Sequence, residues 1–138
     1  MEIEIAAKAV YEILKDVYEE SPWTREQVRA DMLLPNTDYF YVYNGNELIG
    51  FLSSQDLIGE IEMTNIAVKK EYQHKGYAKT LMSQLIERPE TLFLEVRQSN
   101  QNAQRLYHYF GFEIVGKRPN YYHQPIEDAI IMKRQALL

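Results

Sequence analysis

Hydrophobic residues recur at helical spacing in some stretches of the chain and alternate with polar residues in others. The first helical stretch contains Ala6, Val10, Ile13, Leu14 and Val17. This spacing predicts an amphipathic helix, and the short apolar run at residues 3–5 before it predicts a brief first strand. Thr24 and Gln27 have the form of a capping box, so a second helix is predicted from there to about Met32.

The middle of the chain has the residue types of strands. Residues 39–43 are aromatic and β-branched, which favours a strand. Asn44-Gly45 predicts a tight hairpin turn, because both central positions of such a turn need positive φ. Residues 47–55 then form the partner strand, and a further strand is predicted over residues 60–68 after Gly59.

The next unit combines a glycine with a helical stripe. Gly76 is followed by the apolar positions Ala78, Leu81, Met82, Leu85 and Ile86. Arg88-Pro89 ends this helix, and residues 91–96 form a strand. Residues 60–96 are therefore predicted to be strand, helix and strand, with a right-handed crossover and parallel strands.

The C-terminal part predicts one more helix and two more strands. Ser99 or Asn100 can cap the helix, and Gly111 ends it. Its inner face carries Ala103, Leu106, Tyr107 and Phe110. Strands are predicted at residues 112–116 and 129–132. Hairpins together with a crossover indicate an α/β fold with a partly antiparallel mixed sheet and helices on both faces.

Length and composition limit the classes of protein. The 138 residues suit a single domain over residues 1–138. The chain has no cysteine, which excludes disulfides, a thiolate nucleophile and thiolate metal sites. No apolar run is long enough to span a membrane, and the N-terminus lacks the basic-then-apolar pattern of a signal peptide. We therefore expect a cytoplasmic protein with no membrane association.

The charge distribution indicates the kind of partner. The net charge of −5 argues against nucleic-acid binding and suits a basic peptide or an amine, although solubility alone also explains it. One basic cluster stands out. It contains Lys69, Lys70, His74, Lys75 and Lys79.

This cluster surrounds a glycine turn that lies between a predicted strand and a predicted helix. Helix N-termini have unpaired N–H groups and a partial positive charge, and Gly76 allows the backbone to approach a ligand closely. The turn is therefore a candidate diphosphate site. The alternative is a plain tight turn. The sequence of the glycine turn matches neither the Walker pattern nor the three-glycine dinucleotide fingerprint.

Several motifs resemble those of the GNAT acetyltransferases. The pattern Gln73-x-x-Gly76-x-Ala78, after Asn65-Ile66-Ala67-Val68, is similar to their acyl-CoA signature, with alanine in place of the last glycine. More specific pieces resemble the RimI-type ribosomal-protein-alanine N-acetyltransferases within this family. They are Pro22-Trp23-Thr24, Leu94-Glu95-Val96-Arg97, Asn120-Tyr121-Tyr122 and Glu127-Asp128-Ala129.

The resemblance implies a GNAT fold with a mostly antiparallel sheet, a central parallel strand pair that splays, and acetyl-CoA as co-substrate without a metal. It also implies that the acceptor is a protein N-terminal amine, with a small-subunit ribosomal protein as the typical substrate. We expect the protein to be a monomer or a weak dimer. Glu95 would be the general base and Tyr107 the general acid. The cofactor-binding residues it implies are Ile66, Ala67, Val68, Gln73, His74, Lys75, Gly76, Tyr77, Ala78, Lys79 and Asn100.

The residue types fit this chemistry, but structural roles remain open for each. Glu95 needs a raised pKa or a water chain to act as a base, and otherwise it pairs with an arginine. Tyr107 is otherwise a core tyrosine. Glu127-Asp128 either attracts an ammonium group or only precedes the last strand. His108 and His123 lack further ligands of the kind a metal needs.

Three other functions remain possible at this stage. The chain could acetylate a free small amine, act as a non-catalytic acyl-CoA-binding module, or bind a protein partner without any cofactor.

Overall fold

The computed structural model describes residues 2–137 and contains four helices and six strands. The longest described helix has 15 residues, and no helix within this range is long and apolar enough to cross a membrane. The helices are α1 (Ile3–Val17), α2 (Arg25–Met32), α3 (Tyr77–Leu85) and α4 (Gln101–Tyr109). The strands are β1 (Thr37–Asn44), β2 (Glu47–Leu57), β3 (Glu60–Val68), β4 (Thr91–Arg97), β5 (Glu113–Tyr122) and β6 (Glu127–Arg134).

The first element differs from the prediction. Residues 3–5 are the first turn of α1 and not a strand. The N–H of Ala6 donates to the carbonyl of Glu2 (2.9 Å), so the helix already includes this run. Extending a helix adds one hydrogen bond per ordered residue, whereas a three-residue strand needs a neighbouring strand to pair with. The predicted first strand was therefore wrong.

The predicted capping box of α2 is confirmed. The Thr24 side chain accepts from the N–H of Gln27, and the Gln27 side chain accepts from the N–H of Thr24. The hairpin turn is shifted by one residue from the prediction. Asn44 is the last residue of β1 and pairs with Glu47, so Gly45 and Asn46 form the loop.

Glycine explains that shift. Gly45 has φ +61°, and neither asparagine beside it has positive φ. This pattern matches the preference of type II′ hairpin turns for glycine at the first central position. The predicted hairpin between residues 39–43 and 47–55 is otherwise confirmed.

The strands form one sheet in the order β1-β2-β3-β4-β6-β5. All neighbouring pairs are antiparallel except β3 and β4, which are parallel. The parallel pairing covers only residues 60–62 of β3 and 91–93 of β4, although both strands continue further. The two strands therefore diverge after Glu62 and Phe93, which confirms the predicted splay of the central pair.

Helices cover both faces of the sheet, as predicted. On one face, α1 and α2 pack through Val10, Leu14 and Val28 onto Phe51 of β2. On the other face, α3 and α4 pack onto the sheet. Their buried residues there are Leu81, Met82, Leu85 and Tyr107, and those of the strands include Leu52, Ile61, Leu92 and Leu94. The two cores fix the sheet between them, so the diverging ends of β3 and β4 are held in place.

Candidate active site

A cavity of about 1130 Å³ lies where β3 and β4 diverge. Its walls come from distant parts of the chain: the ends of both strands, the connection between α1 and α2, the start of α4 and the end of β5. The ionisable residues in its lining are Tyr18, Glu19, Glu20, Glu62, Glu95, Arg97, Tyr107, Tyr121, Tyr122 and His123. Glu95 and Tyr107, the two predicted catalytic residues, thus face one cavity.

The glycine turn before α3 carries a row of free main-chain donors. His74 (φ +63°) and Gly76 (φ +91°) both have left-handed backbone conformations. The first backbone bond of α3 runs from the N–H of Thr80 to the carbonyl of Gly76 (3.1 Å). Within residues 2–137, the N–H groups of residues 74–79 donate to no protein acceptor. Such a concave set of N–H groups at a helix N-terminus suits an anion.

The basic cluster divides into two parts around this turn. Lys69 forms an ion pair with Glu47 (3.0 Å), and the N–H of Lys70 donates to the Asp16 carboxylate (2.7 Å). Lys75 lies over the ring of Tyr72, while Lys79 lies over that of Tyr109, 4.8 Å from its centroid, and His74 is exposed. The charges beside the free N–H groups are therefore those of Lys75 and Lys79. Tyr77 and Ala78 are the first two residues of α3.

The end of β3 presents main-chain groups to the gap. The N–H of Lys69 donates to a β2 carbonyl (2.8 Å). Because bonded positions alternate along an antiparallel pair, Ala67 directs its main-chain groups toward β2, and Ile66 and Val68 direct theirs toward the gap. The side chain of Gln73 donates to the Val68 carbonyl (2.9 Å), which agrees with this orientation. Ile66 and Val68 thus have the geometry expected of ligand-binding positions, and Ala67 does not.

Glu95 lies on the open face of β4. The burial of β4 alternates, with Leu94 and Val96 in the core, so the predicted orientation of Glu95 away from them is confirmed. Its side chain is 13% exposed, and its Oε2 lies 3.3 Å from the Nε of Arg118 without hydrogen-bond geometry. The carboxylate therefore both faces the cavity and lies beside an arginine.

Tyr107 lies on the inner face of α4 and is buried beside Phe112. Burial raises the pKa of Tyr107, and the neighbouring Tyr18 and Tyr122 raise it further, because a tyrosinate there would lack solvation. The hydroxyl is therefore protonated at neutral pH. It is a neutral donor at the cavity wall.

Asn100 caps α4 and also lines the cavity. Its Oδ1 accepts from the N–H of Ala103 (3.1 Å), which confirms one of the two predicted capping positions. Because that bond uses the side-chain oxygen, the group that Asn100 can offer to a ligand is its NH₂, which is a donor.

Glu62 and Tyr18 are among the cavity residues that were not singled out from the sequence. Glu62 is the last β3 residue paired with β4, and it lines the cavity with Glu95. Burial raises the pKa of Glu62, the charge of Glu95 raises it further, and Arg118 lowers it. Tyr18 follows α1 and faces the same cavity. Alternation along β3 could have placed Glu62 on one sheet face, but only the strand pairing shows which carboxylate it meets.

The acidic pair Glu127-Asp128 forms the start of β6, and both carboxylates bond to protein partners. Glu127 forms an ion pair with Arg97 (3.0 Å) and accepts from the N–H of Ser99 (2.6 Å), and these bonds lower its pKa. Asp128 accepts from the N–H of Asn120 (2.8 Å). Of the two predicted roles, the observed contacts fit a structural one.

His108 and His123 are not arranged as ligands of a metal centre within the described residues. His108 lies 3.5 Å from Glu113 on the outer surface. Within residues 2–137, no group of three or more His, Asp or Glu side chains is arranged to hold a metal ion.

Comparison with known proteins agrees with this geometry. Residues 7–112 match the model of the acetyltransferase (GNAT) family. The ribosomal protein bS18-alanine N-acetyltransferase of Haemophilus ducreyi is 37% identical over 119 residues, covering 80% of this chain and 81% of that protein.

Two solved structures show the same fold. The crystal structure of the ribosomal-protein-S18-alanine N-acetyltransferase from Escherichia coli superposes with a TM-score of 0.88 and 30% identity, covering 97% of this chain and 90% of that one. The PaiA N-acetyltransferase from Thermoplasma acidophilum, solved in complex with coenzyme A, has a TM-score of 0.77 and 17% identity, covering 98% and 95%. At that identity the second structure supports the fold only.

Proposed function

The chain belongs to the GNAT acetyltransferase family, and from this premise we propose that it transfers an acetyl group from acetyl-CoA to the N-terminal α-amine of a protein, with ribosomal protein bS18 as the acceptor. Relatives named for this reaction share more than a third of their residues with the chain over most of its length. The proposed acceptor is a ribosomal protein, so the proposed location of the reaction is the cytoplasm.

The single observation that carries the proposal is the row of free N–H groups at residues 74–79. A diphosphate accepts hydrogen bonds and carries negative charge, so it complements these donors, the positive end of α3 and the side chains of Lys75 and Lys79. A Cβ built on Gly76 would meet no atom within 4 Å, which leaves space at this point. The residues present therefore fit the diphosphate of coenzyme A.

The other predicted binding residues lie on the path from this turn to the cavity. Ile66 and Val68 direct main-chain groups into the gap between the diverging strands, and Asn100 lines the cavity. An extended amide-containing arm needs donors and acceptors of this kind along its length. Acetyl-CoA supplies an activated acyl group on a thioester, so no covalent bond to the protein is needed.

Glu95 is the residue we assign to accept the proton of the incoming amine, directly or through water. An N-terminal amine has a pKa near 8, against about 10.4 for lysine. Deprotonating it at pH 7 therefore costs on the order of 1 kcal/mol, against roughly 4–5 kcal/mol for lysine. A carboxylate of modest basicity thus suffices for an α-amine.

We assign Tyr107 the role of donating a proton to the leaving thiolate. Its raised pKa keeps the hydroxyl protonated, so it can donate to the sulfur as the C–S bond breaks. The acceptor ammonium first releases one proton to solvent, and the attacking nitrogen then loses a second proton to Glu95 while the thiolate gains one from Tyr107, so that one proton is released overall. Solvent in the cavity then returns a proton from the carboxyl to the tyrosine.

Mass spectrometry of the purified protein with acetyl-CoA tests this function. The acceptors are the N-terminal peptide of bS18 and peptides beginning with Ala, Ser, Met or Gly, each with a matched peptide whose α-amine is blocked and which retains one lysine. We expect acetylation only of free α-amines. Transfer to free polyamines but not to peptides would contradict the acceptor, and the lack of any thermal shift with CoA would contradict the enzyme class.

A further inference from the structure

The side chain of Arg97, the last residue of β4, forms hydrogen bonds to the chain segment that joins β5 and β6. The guanidinium of Arg97 donates through Nη1 to the carbonyl of Pro125 (3.1 Å) and to Glu127 Oε1 (3.0 Å). Its Nη2 donates to the carbonyl of His123 (3.1 Å), and its Cζ lies 4.5 Å from the ring centroid of Tyr122. One side chain thus contacts four residues of segment 121–127.

Glu127 connects Arg97 to a second element. Its side chain is 15% exposed, and its other oxygen, Oε2, accepts from the N–H of Ser99 (2.6 Å). Ser99 directly precedes Asn100, the cap of α4, and α4 carries Tyr107. The ion pair therefore joins the strand that holds Glu95, the helix that holds Tyr107 and segment 121–127.

Segment 121–127 forms a wall of the cavity. Its residues 121–124 line the cavity together with Glu95, whereas residues 73–79 of the glycine turn lie outside that lining. The segment therefore lies at the Glu95 end of the site and not at the glycine turn. His123, Gln124 and Pro125 are exposed and have no place in either core. Arg97 holds the carbonyls of the first and last of these three residues.

We propose that Arg97 and Glu127 form a clasp that holds segment 121–127 as the acceptor wall and thereby sets the affinity for the peptide acceptor. The clasp deepens the proposed function and rests on it, since it concerns the same site. Arg97 and Glu127 act here as positioning residues, through the segment they hold.

Two substitutions test the clasp without removing much volume. In Arg97→Lys, a single ammonium replaces the planar fork and cannot bond three oxygens in the same geometry. In Glu127→Gln, an NH₂ replaces one accepting oxygen and meets either the guanidinium or the N–H of Ser99, both of which are donors. Glu127 is not part of the cavity lining, so its substitution acts through the contacts of its carboxylate with Arg97 and with the N–H of Ser99.

The matched control is the ion pair between Arg88 and Glu90 near the other end of β4. Its nitrogen–oxygen distance is 2.7 Å, and Arg88 has the same exposed side-chain fraction as Arg97, 34%. Neither control residue lines the cavity. Arg88→Lys and Glu90→Gln therefore report the general effect of weakening an ion pair just before this strand.

We expect both clasp variants to raise the KM for the peptide about tenfold, the effect of weakening charged hydrogen bonds by roughly 1.4 kcal/mol. The kcat should change less than about twofold and CoA affinity should not change, because the loss concerns acceptor binding. Amide hydrogen exchange should accelerate in residues 121–127. The control variants should leave the KM unchanged.

Three results would overturn the clasp. They are an unchanged KM in both clasp variants, an effect of Arg97→Lys without one of Glu127→Gln, and equal effects in the controls. The second result would mean that Arg97 contacts the acceptor itself. Hydrogen exchange separates this inference from the proposed function: if the wild type acetylated no peptide, the function would fail, and faster exchange in 121–127 of both variants would still support the clasp.

Discussion

The two ends of the site are built in opposite ways. The glycine turn is local: six consecutive residues, 74–79, present free main-chain N–H groups, and its conformation depends on Gly76. The acceptor side is assembled from distant segments, since Tyr18, Glu62, Glu95, Tyr107 and segment 121–127 meet around one cavity. A substitution at the turn should therefore act on cofactor binding alone, and one on the acceptor side should act on chemistry or acceptor binding.

Because of this difference, the glycine turn and the acceptor side recognise different ligands. Main-chain donors bind any diphosphate, so the turn fits the cofactor and carries no information on the acceptor. The acceptor side uses side chains, which differ in charge and shape. Acceptor specificity must therefore reside in the assembled half of the site.

Glu95→Gln should have the largest effect. The neutral amide cannot accept the proton of the amine, and we expect kcat/KM for the peptide to fall roughly 10³-fold. CoA affinity, measured by calorimetry, should be unchanged because the turn lies elsewhere. Glu113→Gln, at an exposed β5 carboxylate, is the control. A loss below about threefold would show that Glu95 serves only as the partner of Arg118.

Tyr107→Phe should come next, with kcat lower by about 10²-fold, since removing a general acid costs this much or more and water in the cavity can partly replace it. The phenyl ring retains the packing against Phe112, so the thermal midpoint should move little. Steady-state kinetics and a melting curve check both statements. An unaffected kcat would assign Tyr107 to the core alone.

Gly76→Ala tests the glycine turn. Gly76 and Gly45 both have positive φ and space for a Cβ, so alanine costs about 1–2 kcal/mol of strain at either position. Gly45→Ala is thus a matched control in the hairpin turn. Both variants should lose similar stability in urea, and only Gly76→Ala should weaken CoA binding, by about tenfold for roughly 1.4 kcal/mol. Equal CoA affinities would contradict the diphosphate site.

Glu62→Gln should have the smallest effect, seen in stability. The raised pKa of Glu62 means that its ionised form destabilises the fold, so this contribution worsens as pH rises from the ordinary value of 4.5 through the folded value. Glutamine removes the titration. Urea unfolding from pH 4 to 8 should therefore show a smaller decline for the variant. Parallel curves would contradict a buried carboxylate meeting Glu95.

The elements with a strong local signal were predicted well. The capping box at Thr24, the cap at Asn100 and β3 over residues 60–68 are all confirmed. The last two strands, predicted over residues 112–116 and 129–132, run further in the structure, over Glu113–Tyr122 and Glu127–Arg134. Two other errors arose where a short segment had to choose a partner. Residues 3–5 joined the helix after them, and the hairpin turn shifted to Gly45, because glycine is favoured where positive φ is needed.

The sequence by itself determined the order of the elements after α1 begins, the glycine turn and the family, because periodicity, caps and turn residues act over a few positions. A resemblance also made Glu95 and Tyr107 the candidate catalytic residues. Only the tertiary structure decided that Glu62 meets Glu95, that Ala67 faces β2 and that Arg97 holds segment 121–127. These contacts depend on strand register and on the divergence of β3 and β4, which result from packing both faces of the sheet at once.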